Sequence, residues 1–413
     1  MPSFVDLLIQ FTELQPHSTM PQTLTRQLPD AATRVFPAFS LERLLRSVFT
    51  PTEGRRVCIL IDLPEISLMK DYAFLQDPQF AIQARAYEHF FQGLHRDGVM
   101  AELGMSGGEM FAYEMTYGSN LDLADACTDH QGNGLSLETD IYPDYDIILC
   151  ISTFSATAPL TAMAKKYNFR GATLHGVNEI ILNSGLAVDY EEVSRDAEKL
   201  RLAMTNADEV EIDFQLETGE ILTAKLMLSG QEAQKSHGLC RGTQPDIANL
   251  PAGEVYFVPT GAEGLFPMKY EDGTLGRLTV TGGRIILSEL IEGNPATIAA
   301  HNAKLSNDPM TGVLGELGFG TQVLPISYAD IQDEKVLGTC HLATGRDDHL
   351  GGHLTPDLFK EHKNATHDDI LFAPHKTPNF NILQVRMTRG DQHEILIENF
   401  RPSEYLLNAL AAD

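Results

Sequence analysis

The sequence predicts an α/β N-terminal domain with a mainly parallel sheet over 1–228 and an α+β C-terminal domain over 229–413. Three observations predict it. Continuous apolar strands alternate with helical segments through the first half, the pattern of a parallel sheet covered on both faces. A polar stretch from Gly230, GQEAQKSHGLCRGTQPDIANLPAG, holds four glycines and two prolines and reads as an interdomain loop, placing the boundary within 213–250. Beyond it, strand patterns are followed by segregated helices.

In chain order, RRVCILID from Arg55 reads as a buried strand, because apolar and β-branched residues follow one another without alternation. Ala81, Ala84, Tyr87, Phe91 and Leu94 recur at helical spacing, and Gly98 ends that helix. DYDIILCIS from Asp144 is a strand, PLTAMAKKY from Pro159 a helix, and GATLHGV from Gly171 a third strand. MSGGEM from Met105 is a glycine turn, and no GxGxxG or GxxxxGK[ST] follows any strand, so no nucleotide-binding fingerprint is present.

Asp189 caps a helix with acidic residues in its first turn and cations later, as the helix dipole favours. EVEIDFQ and ILTAKLML then alternate as two strands around Thr218 and Gly219. The second half opens with GEVYFVP, continues through GRLTVTGGRIILSEL, and forms a helix over 295–307.

With 413 residues, the chain is long enough for two cores without disulfides. The five cysteines include no CxxC pair, which fits buried, reduced thiols of a cytoplasmic protein. The segment MPSFVDLLIQFTELQ has no basic flank before an apolar run and does not read as a secretory signal. No apolar run approaches the roughly 20 residues of a membrane helix, so a soluble protein is expected. A formal net charge of −27 argues against nucleic acid as a partner, since phosphate contacts require clustered Lys and Arg.

The chemistry concentrates in the glycine-rich segment 312–369, which holds Glu316, Glu334, His341, His349, His353, His367 and Asp369. Carboxylates and imidazoles without thiolates suit zinc, cobalt, manganese or ferrous iron. His367 and Asp369 form a His-x-Asp pair on a probable strand; both then face one way and Asp368 the other. His349 and His353 read equally well as part of a solvated loop. The His237 and Cys240 pair reads as loop without metal.

Several pieces together resemble the aminopeptidase T and aminopeptidase S family of metallopeptidases: GLAVDYEEV from Gly185, NLPAGEVYFVPT from Asn249, LGELGFGT from Leu314, DEKVLGTCHLATG from Asp333, and HDD from His367. The resemblance implies a homodimeric enzyme holding two divalent metals per chain, zinc or cobalt with manganese or iron as substitutes, that removes N-terminal residues from peptides. Carried over by position, the metal ligands are Glu254, Glu316, His341, His367 and Asp369, with Glu334 the next candidate.

Glu316 is also the expected general base for a metal-activated water. Where the family has a tyrosine after the histidine, this chain has Asp348, entered as a catalytic stand-in, with Tyr142, Tyr256 and Tyr328 as further substitutes. The same fold resembles the dihydroxypyridine dioxygenases, which implies one ferrous ion held by two histidines and an aspartate, with Glu316 at the place of one histidine. A non-catalytic metal- or peptide-binding protein is the third reading.

Overall fold

The run from Arg55 becomes the central strand Arg55–Leu63 of a seven-stranded sheet, and its residues alternate between two cores: Val57, Ile59 and Ile61 on one face, Cys58 and Leu60 on the other. Burial on both faces is why the sequence shows no polar alternation there. The computed structural model describes residue 31 and residues 33–412; the N-terminal segment read above as lacking a secretory signal lies outside them.

Across this sheet the order is Asp246–Asn249, Arg170–His175, Ile147–Ser152, Arg55–Leu63, Met105–Glu114, Ala126–Thr128 and Gly134–Ser136. The first five run parallel, and the last two add antiparallel at one edge. MSGGEM is no turn: it opens the strand Met105–Glu114, with Gly107 and Gly108 at positive φ where the register slips between Val57 and Cys58. Two glycines permit that bulge because a side chain at such φ is strained. The polar stretch after Gly230 is likewise not all loop, for it supplies the strands Gln234–Ser236 and Asp246–Asn249.

The helix Tyr190–Met204 starts as the sequence predicts, with the Asp189 side chain accepting from the Glu191 amide. It leads into an antiparallel sheet of eight strands in the order Arg284–Glu292, Leu275–Thr281, Gly261–Lys269, Ile221–Gln231, Ala207–Leu216, Phe380–Arg389, Gln392–Glu398 and Arg401–Pro402. This sheet draws strands from both sides of residue 228, since Ala207–Leu216 pairs with Phe380–Arg389. The protein is thus mixed α/β, with parallel and antiparallel sheets.

A third sheet positions the site. Its five antiparallel strands are His367–Phe372, Cys340–Gly345, Leu314–Gly320, Glu254–Phe257 and Gln234–Ser236. One face carries Val255, Phe257, Leu317, Phe319, Leu342, Ile370 and Phe372 into the core shared with the eight-stranded sheet. By strand alternation the other face carries Glu254, Glu316, His341, His367 and Asp369. Cys340 belongs to the apolar face, where burial pushes its thiol up, so it is no nucleophile beside His341. Among the described residues, no helix is long and apolar enough to cross a membrane.

Candidate metal centre

Register fixes how the candidate ligand residues meet. Across the sheet, Glu316 pairs with Ala343 and Ala343 with Asp369, so a single methyl separates the two carboxylates. Gly318 pairs with His341, and a Cβ on Gly318 would overlap the imidazole. The ring therefore lies across the glycine toward Glu316.

His367 Nε2 is 3.0 Å from Glu316 Oε2 and 3.3 Å from Asp369 Oδ1. His341 Nε2 is 3.5 Å from Glu316 Oε1 and 3.9 Å from Glu254 Oε2. Three sets of donor atoms, each within 4.8 Å, follow: Glu316, His367 and Asp369; Glu254, Glu316 and His341; and Glu334, His341 and Asp369. Glu316, His341, His367 and Glu254 are buried, whereas Asp369 stands at the mouth with 29 % of its side chain exposed.

Proton affinities record how much negative charge is gathered here. Burial disfavours charge on Glu316, yet hydrogen bonds from His341 and His367 overcome it and hold the carboxyl well below its usual range. Burial lowers His341 as well, but Glu316 outweighs it and raises the imidazole to about 9. His367 is raised above its ordinary value against burial, chiefly by Asp369. Two imidazoles that hold protons this tightly beside carboxylates mark a place where a cation is favoured.

The donor set fits a divalent metal. His367 Nδ1 donates to the backbone carbonyl of Arg346 at 2.7 Å, which leaves Nε2 as the atom that would ligate a metal. His341 Nδ1 has no hydrogen-bond partner among the described residues, and only Nε2 faces the carboxylates.

Glu334 follows the short helix Asp330–Asp333 and enters from outside the sheet. Beside it, Lys335 places Nζ 2.7 Å from Glu254 Oε2 and 2.6 Å from Glu334 Oε1, with its side chain 1 % exposed. Burial lowers the affinity of Lys335 for its proton, but Glu254 and Glu334 more than restore it. For Glu334, burial raises the carboxyl to about 7 against the pull of Lys335.

The six expected ligands thus line one cavity of about 210 Å³. Its opposite wall comes from the seven-stranded sheet: His175 and Asn249 end parallel strands, while Asn120, Ser155 and Thr157 lie just past the ends of two others. The carboxyl edge of a parallel sheet is where α/β folds bind ligands.

Asp348 does not join the cluster; it pairs with Arg346 at 2.6 Å, and Arg346 also holds Asp122 and the carbonyl of Asn120. Of the candidate tyrosines, Tyr256 lines the cavity, whereas Tyr328 is exposed and Tyr142 lies in the core of the seven-stranded sheet.

Sequence reasoning passed over Lys335 and kept His349 out of the site. The His349 ring stands edge-on to His367 with centroids 5.0 Å apart, and burial lowers it to about 3, so it is neutral. Asp368 faces away, toward Thr366 and Lys304.

No family model and no curated protein matches the chain. The solved structure of 2,5-dihydroxypyridine dioxygenase from Pseudomonas putida shares its fold, with a TM-score of 0.52 and 15 % identity over 88 % of this chain and 95 % of that one. Membership of the aminopeptidase T family is therefore unsupported, and the metallo-aminopeptidase-like hydrolase expected from the motifs is corrected. The fold neighbour is an oxidoreductase, and a fold by itself does not carry peptide hydrolysis.

Proposed function

We propose that this chain is a mononuclear metal-dependent dioxygenase that opens the ring of a small, hydroxylated aromatic compound of the dihydroxypyridine type. The observation that carries the reading is the gathering of Glu316, His367 and Asp369, with His341 beside them, on one sheet face of a fold shared with a ring-cleaving dioxygenase. These four residues would hold the ion. Imidazoles and carboxylates on one face, leaving the cavity side open, form the kind of set that binds ferrous iron in oxygenases. Glu316 makes this set richer in carboxylate than two histidines and one aspartate.

When bound, ferrous iron supplies the one-electron chemistry that lets dioxygen react with a ring. The chain supplies the rest. A cavity of about 210 Å³ is small beside the ~300–1,000 Å³ of drug-sized sites and suits a single ring.

Ser155, Thr157 and Asn249 line the cavity and would offer hydroxyl and amide groups to the ring substituents. His175, which burial lowers to about 4, is neutral at physiological pH and would offer a ring hydroxyl an uncharged imidazole as hydrogen-bond partner on the same wall. Arg346 keeps His367 oriented through its carbonyl.

The test is oxygen consumption by ferrous-loaded protein on adding 2,5-dihydroxypyridine and other dihydroxylated rings, followed together with the ring absorbance. Substrate-dependent uptake with loss of the ring band is expected. Absence of uptake across the panel, in protein shown to contain iron, would refute the reading.

A further inference from the structure

Glu254 and Glu334 are the outer members of two of the three donor sets, and Lys335 joins them to each other. The oxygen of Glu254 that faces His341 at 3.9 Å is Oε2, the same oxygen that accepts from Lys335 at 2.7 Å. The set of Glu316, His367 and Asp369 has no contact of this kind with Lys335. The buried ammonium therefore stands between Glu254 and Glu334 and occupies one oxygen of each, at the outer end of both donor sets.

We propose that Lys335 is a built-in cation that takes the place of a second divalent metal and restricts the centre to one ion. The proposal rests on the reading of the site as a metal centre and goes beyond it, because it assigns the number of ions to a residue that is not a ligand. Metal–carboxylate bonds are about 2.0–2.2 Å, so an ion on Glu254 Oε2 would crowd an ammonium hydrogen-bonded to the same atom.

Charge points the same way. Counted as ionised, the carboxylates of Glu254, Glu316, Glu334 and Asp369 keep a single residual negative charge beside Lys335 and one divalent ion. Without Lys335, the same four carboxylates reach neutrality only with a second divalent ion or by taking up protons. Buried carboxylates stripped of a partner are strongly unfavourable, so removing Lys335 should open the position to metal.

The experiment is titration of the full chain, stripped with chelator, with cobalt(II) alone, read by visible absorption and by metal analysis after gel filtration. Wild-type protein and Lys335→Arg should bind one cobalt per chain. Lys335→Met should bind two, the second lost again in the Glu254→Gln/Lys335→Met double variant. Two cobalt ions in the wild type, the second lost on Glu254→Gln, would overturn the proposal, as would one ion in a folded Lys335→Met protein.

If Lys335→Met folds poorly, saturating cobalt should restore its fold; a variant that stays unfolded at saturation would show that the ammonium is not replaceable by metal and would overturn the proposal. Wild-type protein that binds no cobalt removes the metal centre and this inference together. One-ion binding without turnover of hydroxylated rings refutes only the proposed substrate.

Discussion

The imidazole of His367 is hung from the backbone carbonyl of Arg346, 2.7 Å from Nδ1, while the Arg346 guanidinium is anchored on Asp122, Asp348 and the carbonyl of Asn120. The loop that lines the far wall and a histidine of the candidate metal centre are thereby held by one residue. Replacing Arg346 by Met should loosen both. Because it removes several charge-assisted hydrogen bonds, a stability loss of about 1–3 kcal/mol is expected from denaturant unfolding. Metal affinity, measured by chelator competition, should fall roughly 10–100-fold, as for loss of other outer-shell partners.

Glu316 accepts from both His341 and His367, so one carboxylate joins the two histidines. Glu316→Gln keeps the shape and removes the charge. Its metal affinity should drop by more than the roughly 10–100-fold of an outer-shell loss. Protein that retains metal as tightly as wild type would show that Glu316 is not a ligand.

Gly318 makes room for His341, and a methyl group there has nowhere to go. Gly318→Ala should cost about 1–3 kcal/mol, the usual range for overpacking. It should also weaken metal binding, because the ring can yield only by turning away from Glu316. Unchanged affinity with an unchanged melting temperature would contradict the packing described.

Away from the centre, His301 accepts or donates at Nδ1 to the Tyr270 hydroxyl at 2.5 Å, and burial lowers it to about 4. In the unfolded chain it titrates near 6.5. Between those values the unfolded state binds a proton that the folded state does not. Its contribution to stability is therefore present above about pH 6.5 and lost as pH falls toward about 4. His301→Gln should flatten the fall in stability over this window relative to wild type, as measured by urea midpoints at each pH.

The candidate ligands were legible because a sheet writes its face into the sequence at every second residue. His367 and Asp369 advertise it, and their neighbours Asp368 and Ile370 turn away. Glu254, Glu316 and His341 were found by likeness to known motifs, which conveys a scaffold of ligands without fixing the reaction.

Lys335 was hidden, since a lysine in DEKVLG reads as solvated charge, and only the turn after Asp330–Asp333 carries it inward. The wall of His175, Asn249, Ser155 and Thr157 was equally hidden. These residues converge only once the strand order of the seven-stranded sheet is known. MSGGEM misled because its glycines serve a bulge within a strand.

The five-stranded sheet has one oily side and one charged side, and this binds the centre to the folding of the whole chain. A slip of one residue in CHLATG would drive His341 into the core and bring Cys340 or Leu342 to the cavity. The ligand geometry cannot drift by degrees while the ladder holds. Amides of Cys340–Gly345 should accordingly exchange with deuterium only through global opening. The ligand strands would then be among the last parts of the molecule to breathe.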